Sequence, residues 1–73
     1  MTNTIELEVA IKRSGLTKRE LAKRLGISEM GLYKKIHNIT EFKASEIAIL
    51  VKELNILNME EIFFDKKSDL KSP

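Results

Sequence analysis

The chain has 73 residues, no Cys, one His, and 13 basic against 11 acidic side chains, for a net charge of +2. That length holds one domain with a modest core. A disulfide and a Cys/His metal site, the usual reinforcements of so small a domain, are excluded by composition. Absence of Cys fits a reducing compartment. The start, Met1-Thr2-Asn3-Thr4-Ile5-Glu6, has no basic region leading into an apolar stretch, so no signal peptide is expected. The longest aliphatic run, Ile47 to Val51, is far too short to cross a bilayer. The expectation is a soluble cytoplasmic protein with no membrane partner and no cofactor.

The apolar spacing predicts five helices in residues 3–64. Helix 1, about 4–14, carries Leu7, Ala10 and Ile11 on one stripe. Helix 2, about 18–25, carries Leu21, Ala22 and Leu25. Helix 3, about 29–37, carries Leu32 and Ile36. Helix 4, about 44–54, carries Ile47, Leu50, Val51 and Leu54. Helix 5, about 59–64, carries Ile62 and Phe63. These offsets are those of amphipathic helices, and no segment alternates as a strand would. Leu16, Ile27, Phe42 and Ile56 fall in the connections, where they can plug the core. Residues 65–73 form a polar stretch expected to be a flexible tail.

The punctuation agrees with the spacing. Gly15, Gly26, Asn38 and Asn55 each follow a helical pattern, where a left-handed residue ends a helix. Asn3 with Glu6, Thr17 with Glu20 and Asn58 with Glu61 have the spacing of a capping box or its Asn variant. Ser28 is a further N-cap, although Gly31 cannot complete a box. The fourth helix, starting near Lys43 or Ala44, lacks a good cap.

Charge is unevenly spread. Residues 12–43 hold nine Lys or Arg against three acids, whereas the rest of the chain holds four bases and eight acids. A basic segment between acidic flanks suits a polyanion-facing surface. It equally suits a set of solvated helix faces, and charge alone does not choose between them.

The stretch from Thr17 to Ile36 carries the functional information. Ala22 is a small residue at the centre of helix 2, where a second helix can cross closely. Four residues later Gly26 makes a sharp turn, since Gly takes positive φ without strain. Ile27 plugs the turn, Ser28 caps the next helix, and Leu32 returns to the core. This is the order a helix-turn-helix needs. The segment resembles the Cro/C1-type (XRE-like) helix-turn-helix family of phage and bacterial regulators. The runs Leu32-Tyr33-Lys34-Lys35-Ile36, Thr40-Glu41-Phe42, Ser45-Glu46-Ile47 and Glu61-Ile62-Phe63-Phe64 resemble small phage-encoded members. The resemblance spans about residues 5–64.

It implies an all-α, five-helix lambda-repressor-like domain, with helix 3 in the major groove of operator DNA. Carried onto this chain, the base-reading candidates are Ser28, Glu29, Met30, Tyr33 and Lys34. The phosphate candidates are Thr17, Lys18, Lys35, Asn38 and Lys43. Two positions depart from the pattern. His37-Asn38 stands where relatives often show Asn-Gly, and Asn tolerates the left-handed turn. Glu29 and Met30 stand where relatives often have Gln, Ser, Arg or Thr. A carboxylate is repelled by phosphates yet can accept a hydrogen bond from cytosine N4. Met30 can meet a thymine methyl or another protein, and Glu29 can simply stabilise a helix start.

Other chemistry is poorly supported. His37 has no ligand or catalytic neighbour and reads as a helix-end residue. Glu60 and Glu61 are adjacent, so they point apart and favour a helix start. No nucleophile, base and orienting group occur together, so no enzyme is expected. Phe63 is expected inside and Phe64 at a partner surface, with Ile39 and Met59 as further exposed apolar positions. For Ile39 the alternative is local packing on Phe42. Two functions remain. The first is a Cro-like repressor in a phage or prophage switch, with a weak homodimer as the expected DNA-binding form. The second is an anti-repressor whose helix-turn-helix surface, with Glu29, Met30, Ile39 and Phe64, grips a co-encoded phage repressor.

Overall fold

A computed structural model describes residues 1–64; the polar tail expected at 65–73 lies outside the described residues. The described chain is all-helical: α1 is Thr4–Ser14, α2 Lys18–Leu25, α3 Glu29–Ile36, α4 Ala44–Glu53 and α5 Met59–Phe63. No helix among the described residues is long and apolar enough to cross a membrane.

Local sequence sets nearly every boundary. Thr17 and Glu20 form a complete capping box at the start of α2. Ser28 Oγ accepts the Gly31 N–H at 2.9 Å and starts α3. Asn3 Oδ1 accepts the Glu6 N–H at 3.1 Å and starts α1. Gly15, Gly26, Asn38 and Asn55 all adopt left-handed φ, at 78°, 74°, 63° and 54°. Asn58 departs from expectation. The Glu61 N–H bonds the Asn58 backbone carbonyl at 3.1 Å, so the Asn58 side chain makes no cap and its Nδ2 donates to Glu61 at 3.4 Å. The Lys43 side chain has no acceptor to offer as a cap. Glu46 compensates from inside α4 by accepting the Lys43 N–H at 2.8 Å.

The helices close around one core. Leu7, Leu21, Leu32, Ile36 and Leu50 are fully buried at its centre, with Ile11, Ala22, Leu25, Leu54, Ile56, Ile62 and Phe63 around them. The connection residues Leu16, Ile27 and Phe42 pack against its edge, and Phe42 meets Phe63 edge-on at 5.7 Å. α2 packs on α3 and α4, and α1 packs on α3 and α5. α3 is thereby held from two sides. The N-terminal segment adds a strap: Thr4 Oγ1 donates to the Ile36 carbonyl at 2.6 Å, and the Asn3 N–H to the Ile62 carbonyl at 2.6 Å.

Ala22 and Gly26 are the least replaceable residues of this arrangement. Ala22 is buried, so Ala22→Leu should overpack the core and cost about 1–3 kcal/mol. A Cβ at Gly26 meets no neighbouring atom, but in Gly26→Val a β-branched residue resists the positive φ. Denaturant unfolding should show a lowered midpoint for both variants; wild-type midpoints would mean the turn is not constrained as described.

Candidate nucleic-acid interface

α3 presents two faces. Leu32 and Ile36 point into the core, while Ser28, Glu29, Met30, Tyr33 and Lys34 are all exposed. All five base-reading candidates are therefore open to solvent; Met30, Tyr33 and Lys34 are neighbours on the outer side of α3, while Glu29 lies at its start in line with Leu32 and Ile36. Met30 keeps 61% of its surface in water. Tyr33 and His37, one turn apart, lie with ring centroids 4.4 Å apart at a 44° tilt. Lys34 makes no ion pair among the described residues, so its ammonium is unneutralised there.

The phosphate candidates divide. Thr17 and Lys43 are exposed, and the backbone at Thr17 begins α2. Lys18 reaches Glu8 of α1 at 3.0 Å, with half of its side chain still exposed; a pair this open is worth about 0–1 kcal/mol. Lys35 and Asn38 have internal roles instead. The Lys35 ammonium lies 2.6 Å from Glu46 Oε1, with side-chain exposures of only 13% and 8%. The Asn38 amide accepts from the Thr2 N–H at 2.9 Å and donates to the Thr2 carbonyl at 2.8 Å. Both side chains fasten the far end of α3; the Lys35 ammonium is largely enclosed, whereas Asn38 stays exposed. Of the surface candidates for a protein partner, Glu29, Met30, Ile39 and Phe64 are all exposed, and Phe63 is buried as expected. Ile39 keeps 62% of its surface in water.

Two residues escaped the sequence reading. Glu46 is a buried carboxylate bound at once by Lys35 and the Lys43 amide. Its signal was its place one and two turns before Leu50 and Leu54, on a buried stripe. Arg19 is the other: its Nε lies 3.9 Å from Glu29 Oε2, both strongly exposed. A cation thus stands beside the acidic first turn of α3 and offsets part of its repulsion toward a polyanion.

Three cations of the basic segment are matched by acids from outside it: Lys18 by Glu8, Arg24 by Glu53, and Lys35 by Glu46. Lys12, Arg13, Lys23, Lys34 and Lys43 have no ion pair among the described residues. No His, Cys, Asp and Glu cluster suited to a metal ion occurs among the described residues. No family model, curated protein or solved structure matches the chain.

The Glu46 site has a pH signature. Burial raises its pKa, but the bonds from Lys35 and the Lys43 amide outweigh burial and hold it below the ordinary 4.5. A depressed carboxyl contributes stability that is present above its unfolded pKa and lost as pH falls through the folded one. Stability should therefore drop as pH falls below about 4.5. Glu46→Gln should flatten that part of the profile. At neutral pH it should also cost about 3 kcal/mol, by leaving Lys35 enclosed without a counter-charge. An unchanged acid limb in Glu46→Gln would assign the acid sensitivity elsewhere.

Proposed function

We propose that the chain is a sequence-specific DNA-binding transcriptional regulator, Cro-like in role and non-enzymatic. α2, the Gly26-Ile27-Ser28 turn and α3 act as a helix-turn-helix within a five-helix lambda-repressor-like domain. α3 enters the major groove, and an occupied operator excludes polymerase. The observation that carries this reading is the exposed face of α3, Ser28-Glu29-Met30 with Tyr33 and Lys34, on a helix anchored by α1, α2 and Glu46. An eight-residue helix held this way can lie in a groove about 12 Å wide without changing shape.

The roles follow from chemistry and exposure. Ser28, Glu29, Met30, Tyr33 and Lys34 face base edges. Thr17, through the amides that start α2, and Lys18, Lys43 and Arg19 face phosphates. Lys18 leaves Glu8 on binding at small cost. Lys35 and Asn38 hold the helix and do not touch DNA. Two copies on a symmetric operator would read half-sites about 34–36 Å apart.

A second reading is favoured by Met30, Tyr33 and Ile39, each with more than half its surface in water. Apolar exposure on that scale along α3 and just past its end, beside the acidic Glu29, also suits a protein. In that case the same face binds a co-encoded phage repressor and acts as an anti-repressor.

A salt-dependent gel shift with operator DNA, repeated with the repressor present, separates the two. In the DNA reading, Lys34→Ala, Lys43→Ala and Arg19→Ala each weaken binding. A residue that holds a phosphate reduces the log–log salt slope by about 1 and acts on all sequences alike. Glu29→Gln raises non-specific affinity and alters preference at one base pair, by about 1–3 kcal/mol. In the protein reading, Glu29→Gln and Met30→Ala weaken repressor binding and leave the DNA titration flat. Loss confined to the repressor assay would end the operator-binding account.

A further inference from the structure

The last carbonyls of an α-helix have no partner within the helix. In α3 they belong to Tyr33, Lys34, Lys35 and Ile36. The chain that follows meets three of them: the His37 N–H donates to Tyr33 at 3.1 Å, the Ile39 N–H to Lys34 at 2.8 Å, and the Asn38 N–H to Lys35 at 3.3 Å. The Ile36 carbonyl is met from 32 residues away, by the Thr4 hydroxyl at 2.6 Å. Two residues earlier, the Thr2 N–H donates to Asn38 Oδ1 at 2.9 Å, and Asn38 Nδ2 donates back to the Thr2 carbonyl at 2.8 Å. Between them the Asn3 N–H is fixed to the Ile62 carbonyl of α5. Thr2 and Glu46 are the buried polar residues among the described residues. One holds Asn38 and the other holds Lys35, so both grip the same end of α3. Asn38 suits this place twice over. It tolerates the left-handed φ of 63°, and its amide offers a donor and an acceptor together. Gly would supply the backbone and lose both side-chain bonds.

We propose that Thr2–Thr4 is a positioning element for the outer side of α3. The Thr4 hydroxyl and the Thr2–Asn38 pair set how selectively α3 reads a DNA sequence, and add nothing to how strongly the domain holds a polyanion. The inference rests on the DNA-binding reading above and assigns to it residues that no base touches. Base edges are read by directional hydrogen bonds and close apolar contacts, which weaken steeply once distance or angle is lost. Attraction to phosphates is independent of sequence and reaches about 8 Å at physiological salt, so it tolerates small displacements. Tyr33 lies three residues before Ile36, and Lys34 four before Asn38, so each is one turn from a strapped position. A loosened last turn moves both. Lys18 and Arg19 lie on α2 and Lys43 at the entrance to α4, and no bond from Thr2 or Thr4 sets their place. Releasing the strap therefore separates the two kinds of contact: base reading blurs while phosphate attraction persists.

The test titrates two duplexes across a salt series: one enriched by wild type from a random pool, and a scrambled duplex of equal length. Thr4→Val keeps the side-chain shape and loses the donor. Asn38→Gly keeps the left-handed backbone and loses the amide. Each should weaken binding to the enriched duplex by about tenfold while leaving the scrambled duplex and the log–log salt slope unchanged. Thr4→Ser keeps the hydroxyl and should retain wild-type selectivity. Amide hydrogen exchange on the free protein reads the cause without DNA. The His37 and Ile39 amides should exchange faster in Thr4→Val and Asn38→Gly, while the Leu32 amide at the start of α3 keeps its wild-type rate. Thermal melts confirm that each variant is folded; should Asn38→Gly unfold, the contrast of Thr4→Val with Thr4→Ser decides alone. Wild type that binds both duplexes alike ends the sequence-specific reading, and this inference with it. Wild type that discriminates, beside folded Thr4→Val and Asn38→Gly that discriminate equally well, overturns the inference alone. So does an equal loss on both duplexes, which would make these residues phosphate contacts, or unchanged exchange in the last turn of α3.

Discussion

An eight-residue helix does not persist alone in water, where helices shorter than about 12–15 residues are marginal. α3 has eight residues, so its existence and its aim both depend on what grips it. The central grip is the Lys35–Glu46 pair, which joins α3 to the first turn of α4 in a nearly dry position. Leu32 and Ile36 supply burial on the same side. Ser28 closes the start, while Thr4 and Asn38 close the end. Glu46 also holds the Lys43 amide, so one carboxylate fixes the end of α3 and the beginning of α4 together. An enclosed ion pair is weak evidence for stability in itself, because desolvation opposes its attraction. Its value here is geometric: it sets where α4 begins relative to α3, and so how the outer face of α3 is presented.

Features decided within a few residues were legible in the sequence. The left-handed positions at Gly15, Gly26, Asn38 and Asn55 depend on backbone sterics alone, and all four have the expected φ sign. The five helices and the inward burial of Phe63 followed from periodicity. What escaped was decided across the chain. Lys35 and Glu46 are 11 residues apart, and nothing local says that they meet. The left-handed backbone of Asn38 is a local property, whereas the bonds of its side chain to Thr2, 36 residues away, are not. Lys35 and Asn38 both have the chemistry of surface ligands, and tertiary contacts engage it, in an enclosed pair for Lys35 and at the surface for Asn38. Asn58 shows the same competition on a smaller scale, since a backbone turn took the donor its side chain would have capped.

The molecule separates its two unpartnered surfaces. The outer face of α3 is polar and basic with Met30 and Tyr33 among its apolar members. The hollow between α1 and the α4–α5 connection mixes apolar and polar lining in similar measure, with Glu6 and Arg13 along α1. α1 lies between them: Leu7 and Ile11 face the core, while Val9 and Ala10 face the groove. A short helix that serves both sides has few interchangeable positions. This economy accounts for the strap at its start, where Asn3 and Thr4 tie α1 to α5 and α3 by backbone carbonyls.

Charge along the sequence overstates charge available in space. The segment 12–43 looks strongly basic only while its flanks are considered apart. Folding returns Glu8, Glu46 and Glu53 to Lys18, Lys35 and Arg24, and the asymmetry shrinks to particular side chains. The remaining cations differ in what they can do. Lys34 extends from α3, and Lys43 stands at the entrance to α4; both belong to the region that follows the α2–α3 turn. Arg13 lies on the groove, away from them. A polyanion does not respond to the summed charge of a segment beyond a screening length of about 8 Å. It responds to which ammonium and guanidinium groups lie on one face without a nearby carboxylate. The cations left in question are Lys34, Lys43, whose charge also acts on Glu46, and Arg19, which is shared with Glu29. That set is small, which makes the acid at Glu29 matter: it is the one charge on the exposed first turn of α3 whose sign opposes the others.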